Sequence, residues 1–299
     1  MSILVVGSIA LDYVETPFGK AEDSPGGSAL FFSSTASLFT PVNVVGVVGQ
    51  DFDFKTTDFL KKREVDFEGV YIEAGNTFRW GGKYHDNMNI RDTLYTDLNV
   101  FENFKPNIPT NYRNCTHVFL ANIAPELQLQ VLSQVSSPEI VVLDTMNFWI
   151  SSSRDTLIDV IKKTNILILN DEETLQLSKE KNLILAGKKI LDWGPDFLII
   201  KKGEHGAIMV SREGIFSAPA FPLSKVIDPT GAGDSFAGGF VGYLASCDAL
   251  SELNIRRAIV HGNVLASFCV EDFSFKRLIG LSQQDLDKRL ADYKEITDY

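Results

Sequence analysis

Short apolar runs of strand length alternate with segments of helical period along most of the chain. The runs Ile3–Val6, Val42–Val47, His117–Ala121, Ile140–Asp144, Ile166–Asn170 and Phe197–Lys202 predict buried strands. Apolar positions at helical spacing predict helices at Ala29–Leu38, Asp53–Arg63, Pro125–Gln134, Arg154–Lys163 and Leu183–Trp193. Two longer helices, about Ala232–Ala245 and Ile255–Val270, follow, with a polar one near Gln283–Asp292. Continuous apolar strands separated by helices mark βαβ units, whose parallel sheet is covered on both faces. One stretch departs from this alternation. Thr77–Asn99 mixes aromatic, β-branched and polar residues, with turn signals at Gly81-Gly82 and Asn87-Met88-Asn89. It predicts a hairpin with one exposed and one covered face, and Leu11–Pro17 has the same character. No repeat or linker divides the chain. Residues 1–299 therefore read as one domain, with small β segments at about 11–18 and 77–99 set apart from the main sheet.

Charge and cysteine usage narrow the function classes. A net charge of −11 argues against nucleic acid as a partner, because phosphate backbones demand clustered Lys and Arg. A mononucleotide needs only a few local donors and stays compatible with an acidic protein. The three cysteines, Cys115, Cys247 and Cys269, are widely spaced and odd in number, so neither a disulfide framework nor a zinc pattern is visible. A reducing cytoplasm is the expected location. No apolar run is long enough to predict a membrane span.

The densest chemistry lies in Val226–Phe240, which reads VIDPTGAGDSFAGGF. Glycines ahead of a helix let a ligand approach the main chain, and the open N–H groups of the first turn form an anion site. An acid in that turn, Asp234, repels a bound anion unless it must meet the hydroxyl that attacks it. On four letters alone, Gly-Ala-Gly-Asp reads as a turn and a dipole-complementing acid. The full string resembles the C-terminal signature of the ribokinase-like (PfkB) family of sugar and nucleoside kinases. Two further segments match that family in order: Ser24-Pro25-Gly26-Gly27 ahead of a helix, and Val44–Phe52 with its strand, glycine and acid.

The resemblance implies a ribokinase-like three-layer α/β/α core with a mostly parallel sheet and a small β-sheet lid, formed by the segments near 11–18 and 77–99. It implies an ATP-dependent phosphotransferase acting with Mg²⁺ on a hydroxyl of a sugar or sugar derivative, or alternatively of a nucleoside. Asp234 would be the base, and the amides of Gly231, Ala232 and Gly233 the anion hole. Asp12, which the residues alone read equally as a turn residue, would bind a vicinal diol, and Gly26 and Gly27 would lie against the acceptor. Asn147, at a strand end, would touch the acceptor or act as a helix cap. Asn170 and Glu173 of the family's Asn-x-x-Glu motif would organise Mg²⁺ and phosphate, Glu173 through water; the same letters also spell an N-capped helix. Lys202, Gly203, Thr230 and Asn263 would serve the nucleotide, and Asp228 a monovalent cation. A homodimer through the lid would follow the habit of some relatives.

Two departures from the family bear on the acceptor and the cation. Leu30, Phe31 and Phe32 stand where many members place an Asn, and Val270–Phe275 replaces a glycine-containing turn. A sugar phosphate would call on Arg79, Lys83 and Arg91, and a nucleoside base on Phe31, Phe32, Phe78 and Trp80. A non-catalytic ligand sensor on the same fold is the reading from another class. A dinucleotide-dependent oxidoreductase lacks its glycine fingerprint after the first strand.

Overall fold

The computed structural model describes residues 2–298. Its strands are β1 (Ile3–Val6), β2 (Ala10–Thr16), β3 (Gly19–Gly26), β4 (Val42–Gly49), β5 (Val65–Glu73), β6 (Phe78–Tyr84) and β7 (Arg91–Asp97). They continue with β8 (His117–Leu120), β9 (Ile140–Asp144), β10 (Ile166–Asn170), β11 (Phe197–Lys201), β12 (Ala207–Ser211) and β13 (Ile215–Ala218). The larger sheet runs β13-β12-β11-β10-β9-β8-β1-β4-β5 and is parallel except where β12 meets β11 and β13. The chain leaves β1 towards β4 on one side and returns through β8 on the other. That reversal opens a crevice at the carboxyl ends of the strands.

The apolar strands divide their side chains between two cores by strict alternation. Val142, Ile166, Ile168 and Ile199 enter a core with the helices Ser28–Ala36, Ala232–Ala245 and Glu252–Cys269. Val141, Leu143, Leu167, Leu198 and Ile200 enter the other, with residues of the helices Pro125–Leu132, Arg154–Ile161 and Leu183–Leu191. The result is three layers, helices on both faces of one sheet. No helix among the described residues is long and apolar enough to cross a membrane.

Four strands form a separate small sheet in the order β3-β2-β6-β7. The hairpin expected over 77–99 is there, as β6 paired antiparallel to β7, while β2 joins β6 in parallel. Strand β3 was not expected. The Gly81-Gly82 pair is no turn: it lies inside β6, where the rings of Tyr95 and Trp80 occupy the space a β-carbon would need. Glycine here allows close approach of aromatic neighbours rather than a reversal.

Two other expectations changed. The helix expected at 53–63 is a 3₁₀ turn, Phe54–Thr57, followed by one helical turn, Asp58–Lys61. Thr56 and Thr57 donate their hydroxyls back to the carbonyls of Asp53 and Phe54, which favours the tighter turn. Strand β5 was missed because its acidic residues, Asp66 and Glu68, face water at the sheet edge.

Candidate active site

Alternation along the strands also determines which chemistry gathers at the crevice. Asp144 shares the face of Val142, Asn170 that of Ile168, and Lys201 that of Ile199. All three therefore point under the helix Ala232–Ala245. The Lys201 ammonium lies 3.2 Å from Asp144 Oδ2, and the Thr145 amide donates to the other oxygen at 2.9 Å. Asn170 caps the next helix, and Glu173 closes a reciprocal capping box by accepting the Asn170 amide at 2.8 Å. Burial, with Asp144 nearby, pushes the Glu173 carboxyl up to about 7 even though Lys201 pulls the other way.

The helix over these strands begins at Gly231, in the left-handed region at φ 76°. A β-carbon there would run into the ring of Phe31, itself buried against Phe275. Only glycine makes this turn without displacing that ring. Among the described residues the N–H groups of Gly231 and Gly233 make no hydrogen bond, whereas Ala232 donates to the Pro229 carbonyl at 3.2 Å. The open cradle is thus narrower than three consecutive amides. Asp234 occupies the first turn, half-buried at the crevice. Burial and the charge of Asp144 raise its carboxyl to about 7, again opposed by Lys201.

The small sheet and the loop before the helix bring in the remaining acids. Asp12 projects from β2 and is buried. Its carboxyl is pushed up to about 8 by burial and then by the charges of Asp228 and Asp234, while a backbone hydrogen bond from Gly27 works against the rise. Gly26 packs so tightly on this carboxylate that a β-carbon there would displace it. Asp228 is buried too, accepting the amides of Thr230 at 2.8 Å and Ser274 at 3.4 Å, and so ties together two loops. Burial raises its carboxyl as well. Thr230 donates its hydroxyl to Tyr84 on β6 at 3.2 Å, joining the small sheet to the helix head.

A cavity of about 650 Å³ opens beside these groups. Asn170, Lys201, Lys202, Gly203, Ala232, Gly233 and Asn263 are in its wall, and Phe221, Leu223 and Val226 give it an apolar side. Met88 and Asn89, from the turn between β6 and β7, complete the rim, with Asn89 close to Gly203. Asn263 is buried and spends its amide on the carbonyls of Ala218 and Pro219, so it shapes the wall rather than presenting a free donor.

Several expected residues converge and others do not. Asp12 lies near enough to Asp228 and Asp234 to feel both charges, with Gly26 and Gly27 against it. Asn170, Lys202 and Gly203 are in the cavity wall, and Glu173 lies behind it, bonded to Asn170. Asn147 opens a short helix in an exposed position, outside the cavity wall. Phe31 and Phe32 are core residues with no surface to offer a base. Arg79 pairs with Asp23 and Asp51, and Lys83 with Glu15, while Arg91 on β7 lies over the ring of Trp80. The unexpected members are Lys201, Asp144 and Tyr84. Strand parity was the available signal for the first two, since only alternate residues of β9 and β11 can face the helix head.

A divalent cation fits this set. No cluster of three metal-ligating side chains exists among the described residues. Mg²⁺ suits that poverty, because it keeps its waters and takes one or two carboxylates together with the phosphates it accompanies. Glu173 keeps one oxygen in the capping box and has its carboxyl raised to about 7, so any hold it had on such an ion would run through water.

An anion cradle at a helix head, an acid inside it and a nucleotide-sized cavity beside both define a phosphoryl-transfer enzyme. Comparison with known proteins places it further. Residues 2–276 match the model of the pfkB family carbohydrate kinases, and the chain belongs to that family. It is similar to a cytidine kinase of Thermococcus kodakarensis, 28% identical over 248 residues, covering 81% of this chain and 87% of the relative. A nucleoside kinase of Methanocaldococcus jannaschii is 26% identical over 287 residues, 90% of each. The crystal structure of aminoimidazole riboside kinase from Salmonella enterica, complexed with aminoimidazole riboside and an ATP analog, superposes with a TM-score of 0.75 at 20% identity. That match covers 97% of this chain and 100% of the other. The fold is the ribokinase fold, and the protein is an ATP-dependent kinase acting on a sugar or nucleoside hydroxyl.

Proposed function

We propose that the protein is a nucleoside kinase, transferring the γ-phosphate of ATP to the primary hydroxyl of a ribonucleoside or related riboside. The observation that carries this reading is the cleft face of the small sheet. Asp12 stands there beside Trp80, its register partner on β6, and Tyr84 follows four residues on. A carboxylate suits a ribose diol, and an aromatic neighbour suits a flat base. The relatives named cytidine kinase and nucleoside kinase support the same choice. A phosphorylated sugar fits less well, because Arg79 and Lys83 are already neutralised by carboxylates.

In this reading the small sheet is a lid that keeps water from the γ-phosphate. Asp12 and the Gly26-Gly27 backbone hold the ribose, and Asp234 takes the hydroxyl proton as its oxygen attacks phosphorus. The amides of Gly231 and Gly233 receive the phosphoryl oxygens. Mg²⁺ beside Glu173, largely through water, would offset charge on the phosphates. Asn170, Lys202 and Gly203 line the nucleotide's path.

Measuring kcat/KM over a panel of ribonucleosides and free sugars, with ATP and Mg²⁺, tests the assignment. At least one ribonucleoside should exceed every free sugar tenfold or more. Its 2′-deoxy form should fall by roughly 10- to 100-fold, the loss expected when a charged acceptor loses one donor. Free sugars leading the panel would overturn it.

Asp228 also takes a place here, as the seat of a monovalent cation. Asp12 and Asp228 are buried, Asp12 feels the charges of Asp228 and the half-buried Asp234, and the ion pairs among the described residues include none to any of the three. A K⁺ ion between the two loops joined by Asp228 would offset that charge. Activity in K⁺ should exceed that in equal tetramethylammonium by roughly fivefold or more, the scale of a site-to-site coupling. Equal rates in the two salts would remove the cation from the site.

A further inference from the structure

Lys201 sets its ammonium against the helix head, and the function described so far leaves it unused. Its side chain is largely buried, and its ammonium lies 3.2 Å from where a β-carbon on Gly233 would sit. A positive group at the start of a helix meets an unfavourable dipole, and burial further disfavours its charge. The carboxylates of Asp144, Glu173 and Asp234 outweigh that burial and hold Lys201 above the ordinary lysine range. The partner it holds, Asp144 at 3.2 Å, is at the long end of a charge-assisted bond. An incoming phosphoryl group carries more charge than Asp144 and would arrive at the same amides that Lys201 borders.

We propose that Lys201 is a further catalytic residue, whose ammonium moves from Asp144 to the oxygens of the phosphoryl group as it crosses the Gly233 cradle. In that step the acceptor oxygen forms the new bond to phosphorus. The bond from phosphorus to the β,γ-bridging oxygen breaks, its electron pair leaving with ADP, and the hydroxyl proton goes to Asp234. Lys201 keeps its proton throughout and offsets the charge on the three peripheral oxygens. Asp144 is the positioning residue: it holds the ammonium at the cradle before ATP arrives. This assignment rests on the kinase activity and not on which acceptor is used.

Three variants test it, Lys201→Met, Lys201→Arg and Asp144→Asn, with Mg²⁺ and whichever acceptor turns over. Lys201→Met should lose roughly 10²–10³ in kcat, the cost of removing one charge-stabilising donor. It should bind ADP within about twofold of the parent protein, yet lose a similar factor in binding ADP with fluoroaluminate and acceptor, which imitate the phosphoryl group in transit. The acid limb of kcat should move to higher pH in Lys201→Met and to lower pH in Asp144→Asn, because the two charges act on Asp234 with opposite sign. Lys201→Arg should recover most of the fluoroaluminate binding, and it carries the test if the Met variant does not fold. Retention of a third or more of the parent turnover in Lys201→Met would overturn the assignment. So would a loss of turnover matched by an equal loss of ADP affinity, or acid limbs that move in the same direction.

Discussion

Replacing Asp234 by Asn will lower turnover roughly 10²–10⁴-fold, the range of a lost general base, and leave nucleotide binding close to the parent value. The carboxyl lies in the first turn of the helix whose amides form the cradle, so an acceptor oxygen reaching phosphorus must pass it. Its pKa near 7, set by burial and by Asp144, places proton acceptance within the neutral range. The parent kcat should therefore rise about tenfold per pH unit below 7 and level off above it. The same substitution should stabilise the protein. A carboxyl whose folded pKa is about 7, against 3.8 as the ordinary value, binds its proton more tightly in the folded state. Stability is then highest below pH 3.8 as far as this group is concerned, and it declines as pH rises to about 7. Asparagine removes the decline. At pH 8 the variant should melt higher, by about 2–4 °C for each kcal/mol recovered, and near pH 4 the difference should vanish. Calorimetric melting at the two pH values, with kcat on the same samples, reads both effects. Full activity, or a variant less stable at pH 8, would remove Asp234 from the role of base.

Legibility in the sequence followed locality. The helix start at Gly231, with Asp234 in its first turn, was readable because glycine beside an acid marks one within five residues. The parallel sheet was readable because βαβ strands buried on both faces are apolar without interruption, as in Ile166–Asn170. Features that depend on a partner distant in sequence were hidden. Lys201 and Lys202 look equivalent as letters; only the direction of β11 against the helix head, 30 residues later, separates them. Phe31 and Phe32 could serve a pocket or a core, and the helix at 232–245 decides for the core by covering them. Gly81-Gly82 mimics a turn until Trp80 and Tyr95 are seen lying over it. Asn147 had strand-end placement in its favour, but a strand end supplies a site only where the side chain turns inward, and this one is exposed.

Gly231→Ala should cost roughly 10²-fold in turnover while leaving most of the ADP affinity in place. Two costs meet at this residue. A β-carbon disfavours the left-handed conformation at φ 76°, by about 1–2 kcal/mol. It would also collide with the Phe31 ring, which is confined by Phe275 and cannot yield without opening the core. The turn must then shift, and with it the open amides of Gly231 and Gly233 and the carboxylate of Asp234. A misplacement of about 1 Å suffices for a 10²-fold loss when positioning carries the reaction. Nucleotide affinity depends more on the wall of the cavity formed by Lys202, Phe221 and Leu223, which the shift leaves alone. The double variant Phe31→Leu, Gly231→Ala separates the two costs. Relief of the collision should restore part of the lost turnover, and the remainder measures the backbone strain. If Gly231→Ala alone turned over like the parent, the cradle would not depend on this geometry, and phosphoryl transfer would have to be supported by other donors.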